Sequence, residues 1–167
     1  DIYEKLTIGT IDLAVVCTPK EQLKAAVQSC IKGGIRAAIL VNPDSSKVTR
    51  LTEEDTKLYS ELKTMARKAG MRILGPDCLG VMTPSMKANG QMTFINASYS
   101  GIHAIHGRVA VISQSSEMST TILDWSLKKN VGFSAFMSTG QMVDVCWGDL
   151  IDYFGRDERT DAIILYM

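Results

Sequence analysis

Ile11-Asp12-Leu13-Ala14-Val15-Val16-Cys17-Thr18-Pro19 is the stretch that decides the architecture. Its first seven residues are a short, nearly continuous apolar run, the pattern of a strand covered on both faces. Thr18 then offers a hydroxyl that can cap a helix, and Pro19 suits the first helical position. Leu23, Ala26, Val27, Cys30 and Ile31 follow at helical spacing until Gly33-Gly34 ends the helix. The same alternation continues downstream. Strands are expected over 35–41 and 71–74, with the loop Asn42-Pro43-Asp44-Ser45-Ser46 after the first of them. Between them a helix opens at Thr52-Glu53-Glu54-Asp55, where acids in the first turn complement the helix dipole. Leu58, Leu62, Met65, Ala66 and Ala69 form its apolar face.

A less regular stretch runs from about 77 to 106, and then the pattern resumes. Residues 108–113 read as a strand, and 115 to about 130 as a helix with Met118, Ile122, Trp125 and Leu127 at its apolar positions. Residues 131–138 read as a strand, 144–154 as a helix bearing Val145, Leu150, Ile151 and Phe154, and 162–166 as a last strand. Two βαβαβ units imply an α/β fold with parallel sheets and right-handed crossovers. One doubly wound sheet and two domains both satisfy the pattern. The irregular segment favours two, because structureless loops of that length are uncommon inside one domain.

Composition narrows the function classes. The chain has 167 residues, 46% hydrophobic and 22% charged, with 18 basic and 18 acidic side chains. That balance gives no bulk field for nucleic acid or an anionic membrane. No apolar run approaches the ~20 residues that span a bilayer, and the first residues lack the layout of a signal peptide. The four cysteines, at 17, 30, 78 and 146, form no C-x-x-C, and there are two histidines, so no metal site is expected. Cys17 and Cys30 fall in apolar contexts and read as small buried hydrophobes. A reduced, cytoplasmic setting is expected.

Parallel sheets bind ligands at the carboxyl ends of their strands. Four segments fall there: Cys17-Thr18-Pro19, Val41-Asn42-Pro43, Gly75-Pro76-Asp77-Cys78-Leu79-Gly80 and Ser113-Gln114-Ser115-Ser116. The last places three hydroxyls and free backbone N–H groups at one helix start, which suits a phosphate or carboxylate. Ser115 or Ser116 acting only as an N-cap explains the same residues. Turn chemistry likewise explains the glycines and proline of 75–80 without a ligand. Neither a G-x-G-x-x-G nor a P-loop occurs. Ser113, His103, His106 and Asp144 suggest a hydrolase triad, but the G-x-S-x-G elbow that would support one is missing.

Several ordered motifs resemble a known family. They are Gly75-Pro76-Asp77-Cys78-Leu79-Gly80-Val81, Ile95-Asn96-Ala97-Ser98-Tyr99, Val111-Ile112-Ser113-Gln114-Ser115, Ile122-Leu123-Asp124-Trp125, Asp149-Leu150-Ile151-Asp152-Tyr153 and Ile163-Ile164-Leu165-Tyr166. In this order they resemble the NDP-forming acyl-CoA synthetases, typified by the ADP-forming acetyl-CoA synthetases. They also resemble the Pat-type protein lysine acetyltransferases and, more distantly, the α subunit of succinyl-CoA synthetase. The resemblance implies that residues 1–105 belong to a Rossmann-like CoA-binding domain and that 107–167 begin a flavodoxin-like ligase domain. It implies CoA or acyl-CoA contacts at Thr18, Pro19, Val41, Asn42, Pro43, Gly75, Pro76, Asp77 and Cys78. It also implies a phosphate site at Ser113, Gln114, Ser115 and Ser116.

The family's glycine-rich phosphate loop and its phosphorylated histidine match nothing in the chain. The resemblance therefore places no catalytic residue here, and implies that nucleotide and magnesium bind elsewhere, on missing domains or a partner ATP-grasp subunit. The chain by itself is expected not to complete a reaction, and an oligomer is implied. Asp77 stands where the family carries asparagine, Ser116 where it carries glycine, Gln141 where it carries asparagine and Cys146 where it carries an acid. These departures lean toward the acetyltransferase branch, in which the region would sense acetyl-CoA. A non-catalytic oligomerisation module is the remaining alternative.

Overall fold

A computed structural model describes residues 9–41, 51–88 and 91–167. It is α/β, and the chain divides into two compact units: 1–77 with 141–145, and 78–140 with 146–167.

In the first unit, β1 (Leu13–Val16), β2 (Ala37–Leu40) and β3 (Arg72–Leu74) form a parallel sheet in that order, with Val16 opposite Leu40 and Ile39 opposite Leu74. Helices α1 (Leu23–Lys32) and α2 (Glu53–Lys68) connect them, with a 3-10 turn over Lys20–Gln22 before α1. The helix expected to start at Thr18-Pro19 thus begins as this tighter turn. Thr52 caps α2 in a full capping box: its hydroxyl accepts from Asp55 N at 3.1 Å, and Thr52 N donates to the Asp55 carboxylate at 2.8 Å. Val27, Cys30, Leu40, Leu62, Ala66 and Ile73 are buried in the core of this unit. Two expectations fail at β1. Leu13 and Val15 are 36% and 46% exposed, because β1 is an outer strand whose alternate side chains face away from the helices. Cys17, just beyond it, is also exposed.

The second unit corrects the irregular segment. Residues 77–106 are mostly ordered as β4 (Gly80–Ala88) and β5 (Gln91–Ser98), an antiparallel pair. With β6 (His106–Ser113), β7 (Phe133–Ser138) and β8 (Ala162–Tyr166) they make a five-stranded sheet in the order β5-β4-β7-β6-β8. Its last three strands are parallel and β4 joins β7 antiparallel, so the sheet is mixed.

Helix α3 (Ser116–Lys129) crosses from β6 to β7, and α4 (Trp147–Phe154) from β7 to β8. The buried face of α3 is Ser119, Leu123 and Ser126, while Trp125 and Leu127 are exposed. The helix is rotated so that small hydroxyl side chains pack inward, and their hydroxyls bond back to helix carbonyls. Helix α4 starts three residues later than expected, with Cys146 as its N-cap and Cys146 N donating to Asp149 at 3.0 Å. Among the described residues no helix is long and apolar enough to cross a membrane, and no cluster of His, Cys, Asp and Glu could hold a metal.

Candidate functional site

In the first unit the parallel register brings three turns to one edge. Thr18 and Pro19 follow β1, Val41 follows β2, and Gly75, Pro76 and Asp77 follow β3, while Cys78 is the first residue of the second unit. Val41 N donates to Val16 O at 2.8 Å, which ties the end of β2 to the end of β1. Asn42 and Pro43 lie outside the described residues. Thr18 Oγ1 is buried without a hydrogen-bond partner among the described residues. Leaving such a hydroxyl unsatisfied costs about 1–3 kcal/mol, so this edge gains from anything polar that reaches it. The third turn has a cis Gly75–Pro76 peptide, and Asp77 sits in the left-handed region at φ 62°. Val41 and Cys78 are buried.

Tyr59 of α2 was missed by sequence reasoning. It is 8% exposed, and its hydroxyl is pushed up to about 12, first by burial and then by the negative charge of Asp77. The carboxylate of the turn therefore acts on this phenol. Tyr59→Phe is expected to leave the alkaline rise in phenolate absorbance below about pH 11 unchanged, because ordinary tyrosines titrate near 10. Loss of a step near pH 10 in that variant would sink the assignment.

The carbonyls of this turn are engaged by a segment from later in the chain. Gln141 N donates to Pro76 O at 2.9 Å, Val143 N to Gly75 O at 3.1 Å and Val145 N to Ile73 O at 3.0 Å. Residues 141–145 thus run antiparallel along β3. Asp144, assigned to a helix from the sequence, has a fully buried side chain in this segment. It accepts hydrogen bonds from Arg67 Nε, from Arg72 Nε at 2.9 Å and from Ile73 N at 2.9 Å. Burial alone would push its carboxyl up. The Ile73 amide and the Arg72 and Arg67 guanidiniums overcome this and hold it below the usual carboxylate range. With both oxygens so occupied, Asp144 cannot serve in a hydrolytic triad.

In the second unit, β6 lies between β7 and β8, so the direction of winding reverses beside it. The crevice at the carboxyl ends of β6 and β8 is where such a sheet binds ligands. Ser113 is opposite Tyr166 on one side and Ser138 on the other. The serine turn stands at that point, but much of its bonding capacity is used internally. Ser113 is buried and donates to Ser115 O at 2.9 Å, and Gln114 N donates to Tyr166 O at 2.9 Å. Ser115 is the N-cap, accepting from Met118 N at 3.2 Å and donating to the Glu117 carboxylate at 3.0 Å. Ser116 is the first residue of α3. The exposed Glu117 puts a negative charge at the very helix end that would attract an anion. Among the described residues Ser138 Oγ is buried without a partner at the end of β7, a second hydroxyl that sequence reasoning did not single out. His103 is exposed, its Nδ1 2.7 Å from the Asn96 amide nitrogen, and His106 is exposed at the start of β6.

Two strand-edge sites, one on a Rossmann-like unit and one on a unit with the winding reversal of a flavodoxin fold, define a class that comparison with known families makes specific. Residues 1–84, half of the chain, match the CoA binding domain, and 106–167 match the succinyl-CoA ligase like flavodoxin domain. The chain belongs to the CoA-binding domain family and continues into the ligase-type flavodoxin domain. It is 34% identical, over 95% of its length, to the α subunit of an ADP-forming acetate–CoA ligase (II) of Pyrococcus furiosus, of which it covers 32%. A crystal structure of a Pyrococcus horikoshii OT3 protein superposes with a TM-score of 0.77 at 33% identity, over 94% of this chain and 34% of that one. The apo form of a dinucleotide forming acetyl-coenzyme A synthetase from Ca. Korarchaeum cryptofilum gives 0.74 at 28% identity, over 93% and 31%. The chain thus spans about a third of the length of these relatives.

Proposed function

We propose that the chain is the CoA- or acyl-CoA-binding portion of an NDP-forming acyl-CoA synthetase. In that reaction acyl-CoA, ADP and phosphate interconvert with the free acid, CoA and ATP through acyl phosphate and phosphohistidine intermediates. The observation that carries the proposal is the first unit's strand edge, within the stretch matching the CoA binding domain, where Thr18 presents a buried hydroxyl with no partner among the described residues. In this reading residues 1–105 serve CoA and 107–167 begin the ligase part.

The residues fit part of CoA better than the rest. Thr18 Oγ1 can bond a ligand amide or hydroxyl, and the carboxylate of Asp77 accepts from an amide N–H or an exocyclic amine but repels phosphate. The turns at 18–19 and 75–77 therefore suit the pantetheine or nucleoside portion, and Val41, Asn42, Pro43 and Cys78 are assigned with them by the resemblance. The turn at 113–116 takes phosphate through backbone N–H groups, weakened by Glu117. Nucleotide, magnesium and the phosphorylated histidine are assigned to other segments or to a partner ATP-grasp subunit, in an oligomeric enzyme.

Calorimetric titration of the chain and of the full-length protein with CoA, with ADP as control, tests this. Saturable binding of CoA in the micromolar range by both is expected, with no heat from ADP on the chain. CoA failing to bind even the full-length protein would overturn the assignment.

A further inference from the structure

The segment 141–145 lies between β7 and α4 in sequence, yet it belongs to the first unit. Three kinds of contact attach it there. Its alternate amides bond the carbonyls of Ile73, Gly75 and Pro76. Val143 is buried in the first unit's core. Asp144 gathers donors from two elements, Arg67 of α2 and Arg72 and Ile73 of β3. The segment is not a regular strand, Met142 standing at φ 50°, but the amides of residues 141, 143 and 145 and the Asp144 carboxylate all engage β3 or the turn after it.

Two of the three carbonyls held in this way belong to the turn assigned above to CoA. Both guanidiniums are partly exposed, whereas the carboxylate they share is fully buried. The acid is thus the element of the clamp that water cannot replace. We infer that Asp144 is a positioning residue for the CoA turn: by pinning residues 141–145 along β3 it fixes the Gly75 and Pro76 carbonyls and, through them, the presentation of Asp77. Only the ligand's identity rests on the proposed function; the pinning rests on the hydrogen bonds themselves. Binding of CoA at the turn tightens the segment, and loosening of the segment weakens CoA.

The test compares Asp144→Asn, which keeps the side chain's size, with Val27→Ala, which removes packing from α1 in the same core without touching the clamp. Amide exchange is followed by NMR on the 167-residue chain, and CoA affinity by calorimetry. Asp144→Asn is expected to speed exchange at Gln141, Val143 and Val145 by roughly 10-fold relative to Val41 N, as loss of one charge-assisted bond implies. It is also expected to weaken CoA by about 10-fold, the scale set by losing a partner that orients a ligand-binding group. Val27→Ala is expected to speed exchange throughout the unit without that selective change, and to leave the CoA affinity of the folded protein intact.

Equal exchange ratios in the two variants would overturn the positioning role, as would unchanged CoA affinity in Asp144→Asn. Selective exchange at 141–145 with no CoA binding by the parent protein would keep the pinning and remove the CoA reading, so the two fail separately. If Asp144→Asn does not fold, Arg72→Gln tests the same clamp from its exposed side, with the same readouts.

Discussion

Replacing Asp144 by alanine is expected to destabilise the first unit by about 3 kcal/mol, the lower end of the cost of breaking a buried ion pair. The lower end applies because Arg67 and Arg72 are about half exposed and their charges return to water when the carboxylate goes. What water does not repair is the Ile73 amide, buried and deprived of its acceptor. The loss should therefore appear as early unfolding of the first unit, followed by amide exchange or by far-UV circular dichroism against urea. The sign with pH is fixed by the direction of the shift. A carboxyl held below its unfolded value of about 3.9 contributes fully above that pH and loses the contribution as pH falls through its folded value. The gap between wild type and Asp144→Ala should be constant from neutral pH down to about 5 and shrink below about 4. A gap that grows toward low pH would mean that the acid is not ionised in the folded chain.

Gly80→Ala is expected to be comparably severe, by a different route. Gly80 opens β4 at φ 114°, a conformation close to glycine-only, and an added Cβ would meet Ala97 O and the Ser98 Cα on β5. Backbone atoms of a paired strand cannot swing aside as a long side chain can. Overpacking and conformational strain together imply about 3 kcal/mol or more, or a melting point lower by roughly 6–12 °C in a chain of this size. Trp125 and Trp147, the chain's two tryptophans, both lie in the second unit. Tryptophan fluorescence therefore reports this variant, while the first unit is followed separately. A fall of less than about 2 °C would show that β4 and β5 slide past one another at this point.

The alternation of strands and helices was legible in the sequence because parallel strands between helices read as unbroken apolar runs. Ala162–Tyr166 forms as expected, and α1 buries Leu23, Val27 and Cys30 at the expected spacing. The hairpin was not read, although Asn89-Gly90 sits between its strands and is a strong two-residue hairpin signal. Mixed polar and apolar residues such as Thr83, Ser85 and Thr93 broke the continuous pattern that had identified the other strands. Exposure of Trp125 was unreadable for a different reason: rotation of α3 follows what packs beneath it, and the inward serines carry no hydrophobic signal. The edge turns were located by topology alone. Tyr59 was not, because it joins Asp77 through space, from a helix. The 141–145 segment left one trace, the short alternation Val143-Asp144-Val145, too brief to separate from the start of a helix.

That segment also sets a timetable for synthesis. The first unit is discontinuous along the chain: its sheet and helices are translated by residue 77, but its last strip arrives only after 78–140 have been made. At roughly 5–20 residues per second, the emerging unit waits several seconds with the β3 edge bare and Arg67 and Arg72 without their acid. An edge of unpaired amides and carbonyls is what other chains add to. Nascent copies on one message therefore pass through an interval in which pairing with a neighbour competes with closure by their own residues 141–145.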